Sequence, residues 1–296
     1  MVTGMRELLK HIYYGDELNR LHEGVSITRQ ALCRFRPEFS ALTVAEWDVV
    51  GDVTREFFGV RREGVFGGQI TAGDGWFIGA WMAAIRPQAM IEVGVASGFS
   101  SALILSFAER LDLLGNNGTA FLHSFDLMEV HANGGVTGDL LRRYFPHFEK
   151  HWNLTTKTTT AQMSFDALRE MPLRTMAFLD GGHNHPWPTI DLAYLRRAVP
   201  QCEWALMQDT AMMERWIADA VIYQVPVPKP VRGVQLALNH WPGDKLVGTG
   251  PCYNMAAVRV PIGDVDETGY LKAVRTYPYE CNSDQAEICD EFFAKL

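Results

Sequence analysis

The chain has 296 residues, 47% of them hydrophobic, and a formal net charge of -8. Such a chain can bury a sizeable core in one large domain or two small ones, and its acidic balance argues against a nucleic-acid partner, which calls for a basic face. Cys33, Cys202, Cys252, Cys281 and Cys289 stand in no paired or Cys-x-x-Cys spacing, so they read as buried or incidental thiols of a reducing compartment. Residues 1–10 lack the apolar core of a signal peptide, and the apolar stretch Trp76 to Ile85 is too short for a bilayer, which takes about 20 residues. These features predict a cytoplasmic protein with no membrane contact.

In chain order, residues 1–70 read as a helical extension. Leu8, Leu9, Ile12 and Tyr13 fall at helical spacing. Thr43 is placed to cap a helix over Val44 to Phe58, with Glu46 at the capping-box position. The extension suits a lid or a homodimer contact. A glycine-dense break over 59–75 precedes a helix from Trp76 to Ile85 that ends before Pro87. Strand-like runs then occupy 89–93, 119–125, 152–158, 174–179 and 203–208, alternating with helical candidates at 99–113, 136–145, 161–170, 188–198 and 210–220. Strands alternating with helices imply parallel pairing by right-handed crossovers, hence a doubly wound α/β sheet. The proline-rich segment 226–230 interrupts the alternation. Residues 245–248 and 254–260 then read as an antiparallel hairpin at the sheet edge. The resulting division is an extension (1–70), a sheet domain (71–263) and a closing helical tail (264–296) of low functional content.

The stretch from Ala89 to Leu105 is a buried strand, a turn with Gly94 and Gly98, and a helix start. The first amides of a helix lack internal acceptors and carry partial positive charge, so the turn suits a carboxylate or a phosphate. No Lys follows Gly98, as a P-loop requires. Ala96 stands where a dinucleotide-binding turn wants its middle glycine. Other strand ends carry Asp126, Asp180 and Gln208-Asp209-Thr210, and ligands of open sheets sit beyond those ends. Glu92 at the head of the motif disfavours a diphosphate. A ligand with a cationic amine, a small carboxylate and a ribose fits better: its carboxylate on the amides near Ser97 to Ser101, its ribose hydroxyls on Asp126. That ligand is S-adenosylmethionine.

With these residues the chain resembles the class I S-adenosylmethionine-dependent methyltransferases. The similarity is to the O-methyltransferase branch that includes catechol O-methyltransferase and the macrocin/novobiocin-type sugar enzymes, over roughly residues 70 to 260. The resemblance implies a seven-stranded, mostly parallel Rossmann-like sheet with an antiparallel last strand. It implies a cofactor site of Glu92, Gly94, Ser97, Gly98, Ser100, Asp126 and Asp180, with Gln162 beside the adenine. It implies transfer to a small-molecule hydroxyl acceptor such as a sugar, natural product or phenol. In that branch a divalent metal, usually Mg2+, binds at the fourth and fifth strand ends and lowers the acceptor's pKa. Here that assigns Asp180 and Asp209, with Thr210 as a further oxygen. His183 stands where catechol O-methyltransferase-like enzymes place a lysine base, and an imidazole suits that role near neutral pH. His185 is a second candidate. The aromatics Trp76, Phe77, Phe99, Trp187, Trp216 and Trp241 fall near the crevice, where core packing competes with acceptor stacking. Two rival readings stand beside this one: a nicotinamide-dependent oxidoreductase on the same sheet, and a homologue that keeps the cofactor pocket without catalysis.

Overall fold

The computed structural model describes residues 17–59, 70–115, 119–131, 134–226, 229–261 and 267–296, with side chains from residue 23 onward. The apolar pattern at Leu8 to Tyr13 lies outside these residues. At the centre is a seven-stranded sheet in the order β3-β2-β1-β4-β5-β7-β6. Its strands are β1 (Ala89–Val93), β2 (Leu122–Phe125), β3 (Trp152–Thr155), β4 (Thr175–Leu179), β5 (Cys202–Gln208), β6 (Lys245–Val247) and β7 (Met255–Arg259). The first five pair in parallel, and β7 runs antiparallel to both β5 and β6. This is the doubly wound α/β sheet with one reversed strand anticipated above. The hairpin of β6 and β7 is likewise present, and β7 inserts beside β5, which leaves β6 at the edge.

Both faces of the sheet are covered, so its central strands are apolar throughout rather than alternating. Every residue of β1 and β4 is buried. Successive side chains point to opposite faces. Met90, Leu122, Met176, Phe178 and Leu206 join one core, while Ile91, Val93, Ala177, Leu179 and Met207 join the other. The first core packs under α1 (Glu17–Phe35), α2 (Pro37–Ser40), α3 (Val44–Gly59), α4 (Ala72–Ile85) and α5 (Phe99–Arg110), with α6 (Asp139–Tyr144) at its margin. The second lies under α7 (Trp187–Ala198), α9 (Gly233–His240), α10 (Glu267–Val274) and α11 (Ser283–Ala294). Helix α8 (Met212–Tyr223) follows β5. No helix among the described residues is long and apolar enough to cross a membrane, and all five cysteines are free.

The predicted cap of α3 is present in both directions. Glu46 N–H donates to Thr43 Oγ1 at 3.2 Å, and Thr43 N–H donates to the Glu46 carboxylate at 2.9 Å. Helix α4 starts four residues earlier than its apolar run, because Thr71 and Asp74 form a second capping box inside the glycine-dense stretch. The predicted helix over 161–170 does not form. Only a 3₁₀ turn, Thr160–Gln162, is present, followed by single turns closed by Ala167 N–H to Ser164 O, Arg169 N–H to Asp166 O and Met171 N–H to Leu168 O. The Ser164 hydroxyl also accepts from Asp166 N–H, a local bond that competes with helix continuation. Helix α9 was not anticipated; with eight residues it is too short to display a period.

Candidate active site at the strand ends

A cavity of about 510 Å³ opens beyond the carboxyl ends of β1, β2, β3 and β4. Its wall includes Gly94 to Ser97 and Asp126 on the β1 and β2 side, and Asp180, His183 and Asn184 after the neighbouring β4. A further arm is lined by Thr158 to Thr160, Trp187, Asp191 and Gln285. Such a position, outside the strand ends where the strand order turns back, is where open α/β sheets bind ligands.

The turn after β1 is fixed by conformation. Gly94 and Gly98 hold φ of 89° and 86°, in the left-handed region that glycine tolerates. A Cβ on Gly94 would meet the Asp180 carbonyl oxygen at 2.1 Å, so glycine lets the ends of β1 and β4 close on each other. Asp126 completes the turn. Its Oδ2 accepts from Val95 N–H (2.8 Å) and Ala96 N–H (3.0 Å), and its Oδ1 accepts from Met128 N–H (2.7 Å). A carboxylate has about four acceptor positions, so capacity remains for a hydroxyl from the cavity. The Ser97 hydroxyl is buried, lines the cavity and has no hydrogen-bond partner among the described residues. It sits just before the α5 amides, which by helix geometry lack intrahelical acceptors.

Glu92 does not line this cavity. It is fully buried beneath the turn, accepting at 2.6 Å from each of the Ser100, Ser101 and Ser124 hydroxyls. Trp152 Nε1–H in turn donates to Ser124 Oγ. Burial raises the Glu92 carboxyl above its ordinary range, while the serine bonds oppose the rise. Glu92 therefore ties β1, β2, β3 and α5 together. It also engages the Ser100 hydroxyl, although Ser100 reaches the cavity wall. Gln162 is exposed and outside the cavity; its Oε1 accepts from Thr159 Oγ1 at 3.1 Å. The turn that replaces the expected helix aims Thr158 to Thr160 inward instead.

At the other end, Asp180, His183 and Asp209 converge, each offering a ligand atom within 4.8 Å of the others. His183 Nε2 lies 3.3 Å from Asp209 Oδ2. Burial lowers the His183 pKa, and Asp209 opposes that shift. Asp180 is pushed well above the usual carboxylate range by burial, then by Asp209, Asp74, Glu92 and Asp126. Asp209 adopts a left-handed backbone (φ 62°) and accepts from Asn254 Nδ2–H at 2.9 Å. Thr210 does not join the cluster, for its hydroxyl donates to the Tyr253 carbonyl. The loop before β7 thus takes the Thr210 hydroxyl and returns Asn254 to hold Asp209.

Several residues here were missed in the sequence. Asp74 is fully buried and accepts from Thr71 N–H (2.7 Å) and Gln208 Nε2–H (3.2 Å). Its Oδ1 and Gln208 Oε1 are both buried without a partner. A proton on Asp74 converts one of these acceptors into a donor. Burial pushes Asp74 up to about 7, with Thr71 opposing and Asp209 reinforcing. Asp191, 4% exposed, accepts from Thr160 Oγ1 at 2.5 Å, and burial pushes it up to about 7 against that bond. A signal for Asp191 existed: it occupies an apolar position in the helical series Trp187, Ile190, Asp191, Tyr194, Leu195.

The tail is more engaged than anticipated. Glu280 accepts from His185 N–H (2.9 Å), Arg232 N–H (2.9 Å) and Arg232 Nε–H (3.0 Å), which anchors the His183 loop. His185 itself is buried, with its ring against Tyr279 and away from the cavity. Of the aromatics anticipated near the crevice, Phe99 and Trp187 line the cavity, while Trp76, Phe77 and Trp241 belong to the cores.

No family model matches the chain, and no curated protein matches it. Among solved structures it is similar to a putative O-methyltransferase from Klebsiella pneumoniae, at 15% identity and TM-score 0.41, over 79% of this chain and 96% of that one. It is similar to an O-methyltransferase from Bacillus cereus in complex with SAH, at 12% identity and TM-score 0.39, over 81% and 99%. A third is the O-methyltransferase TomG from Streptomyces achromogenes in complex with SAM, at 13% identity and TM-score 0.41, over 79% and 96%. At such scores the likeness bears on nothing further, and function is read from the site itself.

Proposed function

We propose that the chain is an S-adenosylmethionine-dependent methyltransferase that methylates a hydroxyl of a small molecule. The observation that carries this reading is one cavity joining the Gly94–Ser97 turn, Asp126 and the Asp180–His183 end. Buried Ser97 and the first α5 amides supply donors for a carboxylate, Asp126 keeps acceptor capacity for a ribose hydroxyl, and Thr158 to Thr160 face the remaining arm. When bound, the sulfonium cofactor supplies an activated methyl group to an in-line nucleophile. With Nε2–H turned to Asp209, His183 takes the acceptor's proton at Nδ1. Burial keeps the imidazole neutral and ready to accept that proton, and Asp209 at 3.3 Å stabilises the imidazolium that results. The Glu280 bonds to the loop hold the imidazole in place.

A second reading concerns a divalent ion. Two carboxylates and one imidazole within 4.8 Å form a usable donor set; Asp180 is raised by burial first and then by the neighbouring carboxylates, whose charge a cation would relieve. Asp180, Asp209 and His183 would hold it, and it would polarise the acceptor oxygen. An imidazole in the set favours a transition metal over Mg2+, which prefers oxygen. A ligating His183 is no longer a free base, so chelation separates the two readings. The test is methyl transfer from labelled S-adenosylmethionine to a panel of phenols and sugars, with EDTA and with added Mn2+ or Mg2+. Product that persists in EDTA supports the His183 base; product that requires the ion supports the metal. Cofactor binding without turnover on any acceptor favours the inactive homologue. NADH binding in place of the sulfonium cofactor favours the oxidoreductase.

A further inference from the structure

We propose that Cys281 and Cys289 close a reversible disulfide on reaction with a low-molecular-weight disulfide, and that closure releases the loop carrying His183. This goes beyond the methyl-donor reading and does not depend on it. Cys289 lies on α11 and is fully buried in the second core. Cys281 stands just before Asn282, whose side chain caps α11, and is half-buried against the same core. The segment before the helix folds back along it, for Tyr279 Oη donates to Asp290 Oδ1 at 2.9 Å. Two thiols distant along the chain thereby meet, and the Cys289 thiol donates to the Cys281 sulfur. Cys202 and Cys252 instead give their thiol hydrogens to the backbone carbonyls of Trp204 and Gly73.

The two members of the pair are not equivalent. Burial raises both thiols, Cys289 up to about 12, and the bond from Cys289 opposes the rise at Cys281. The thiolate is the nucleophile in thiol–disulfide exchange, so half-exposed Cys281 attacks first. Its sulfur bonds one sulfur of glutathione disulfide, whose S–S bond breaks, and one glutathione leaves. Cys289 then loses its proton and attacks the Cys281 sulfur, expelling the second glutathione. The two thiol protons end on the two departing glutathione molecules, and the protein gains one disulfide.

The consequence lies one residue away. Glu280 accepts from His185 N–H and Arg232 N–H, each at 2.9 Å, and so anchors the His183 loop. Bonding draws the sulfurs closer than contact distance. Cys289 is fixed in the packed core, so Cys281 makes the move and carries Glu280 with it. The reduced chain holds the loop, and the oxidised chain lets it go.

Treatment of the purified full chain with glutathione disulfide, then thiol blocking and peptide mapping, tests the pairing. A linked Cys281–Cys289 peptide that dithiothreitol removes is the expected product. A stable glutathione adduct on Cys281, a link between two chains, or unmodified thiols would overturn the proposal. Amide hydrogen exchange reads the release. Exchange at His185 and Arg232 should rise about fivefold in the oxidised chain, the worth of one hydrogen bond, and fall back on reduction. Cys281→Ser treated alike should show no rise; a rise there assigns the effect to other thiols and overturns the switch. A disulfide that forms with no faster exchange at these amides overturns it too. The mapping is done on the wild type, so it decides the pairing even if the variant fails to fold.

Discussion

At the β1 and β2 end of the cavity each acid is met by donors. Asp126 takes three backbone N–H groups and Glu92 takes three serine hydroxyls. At the β4 and β5 end Asp180, Asp209 and Asp74 crowd together with fewer donors, and burial and mutual repulsion raise Asp74 and Asp180. Both ends gather acids, yet those of the first are met by donors and those of the second are short of them. Serine and backbone donors make a rigid platform that leaves Ser97 Oγ and part of Asp126 for a ligand. Unrelieved acids beside a neutral imidazole make a site that gains from a proton or a cation. The platform end suits holding a cofactor, and the acid end suits moving a proton.

Single substitutions separate the two ends. The largest effect belongs to His183→Ala, which should lower turnover by about 10²- to 10⁴-fold, the usual worth of a positioned general base. S-adenosylhomocysteine affinity should not change. An equal loss of affinity would place His183 at the platform end. The next effect is on stability against pH. Asp74 faces Asp209 and Arg215, and its folded pKa of about 7 lies above the ordinary value. The folded state therefore binds the extra proton between about pH 4 and pH 7, and stability falls as pH rises through that window. The slope for one such group is about 1.4 kcal/mol per pH unit at most. Asp74→Asn, which cannot titrate, should flatten the denaturation profile between about pH 4 and pH 7; an unchanged profile would mean Asp74 is ionised when folded.

Asp126→Ala should weaken S-adenosylhomocysteine by about 1.5–3 kcal/mol for each hydrogen bond lost, with turnover at saturation less affected. An intact affinity would confine Asp126 to capping the turn. Smallest in ligand terms is Glu92→Gln. It should cost about 1–3 kcal/mol of stability through the disturbed serine bonds and leave cofactor affinity within a factor of a few, as equilibrium denaturation and calorimetry on the same sample would read. A large loss of affinity would return Glu92 to the binding site.

The parts legible from sequence are those governed by local rules. The strands follow from apolar runs, the α3 cap from Thr43 and Glu46, and the turn from Gly94 and Gly98. Convergence of Asp180, His183 and Asp209 followed from topology, since parallel strands deliver their ends to one edge. What stayed hidden depends on side-chain direction. Glu92 lies one strand residue before Val93 and points into the packed layer beneath the turn, where three serines meet it. Thr210 and Gln162 stand at expected positions, but Tyr253 O and Thr159 draw them aside. Asp74, Asn254, Glu280 and Gln285 come from segments distant in sequence, and no spacing rule connects them to the strand ends. The absent helix at 161–170 belongs with these, where the Asp166 N–H donates to Ser164 Oγ in a local bond that competes with a weak helical pattern.

Calorimetric titration of S-adenosylhomocysteine into the purified chain, up to millimolar concentration, tests whether the strand-end cavity holds the methyl donor. Saturable one-to-one binding is expected, weakened in Asp126→Ala and intact in His183→Ala. No binding to the wild type at millimolar ligand would contradict it.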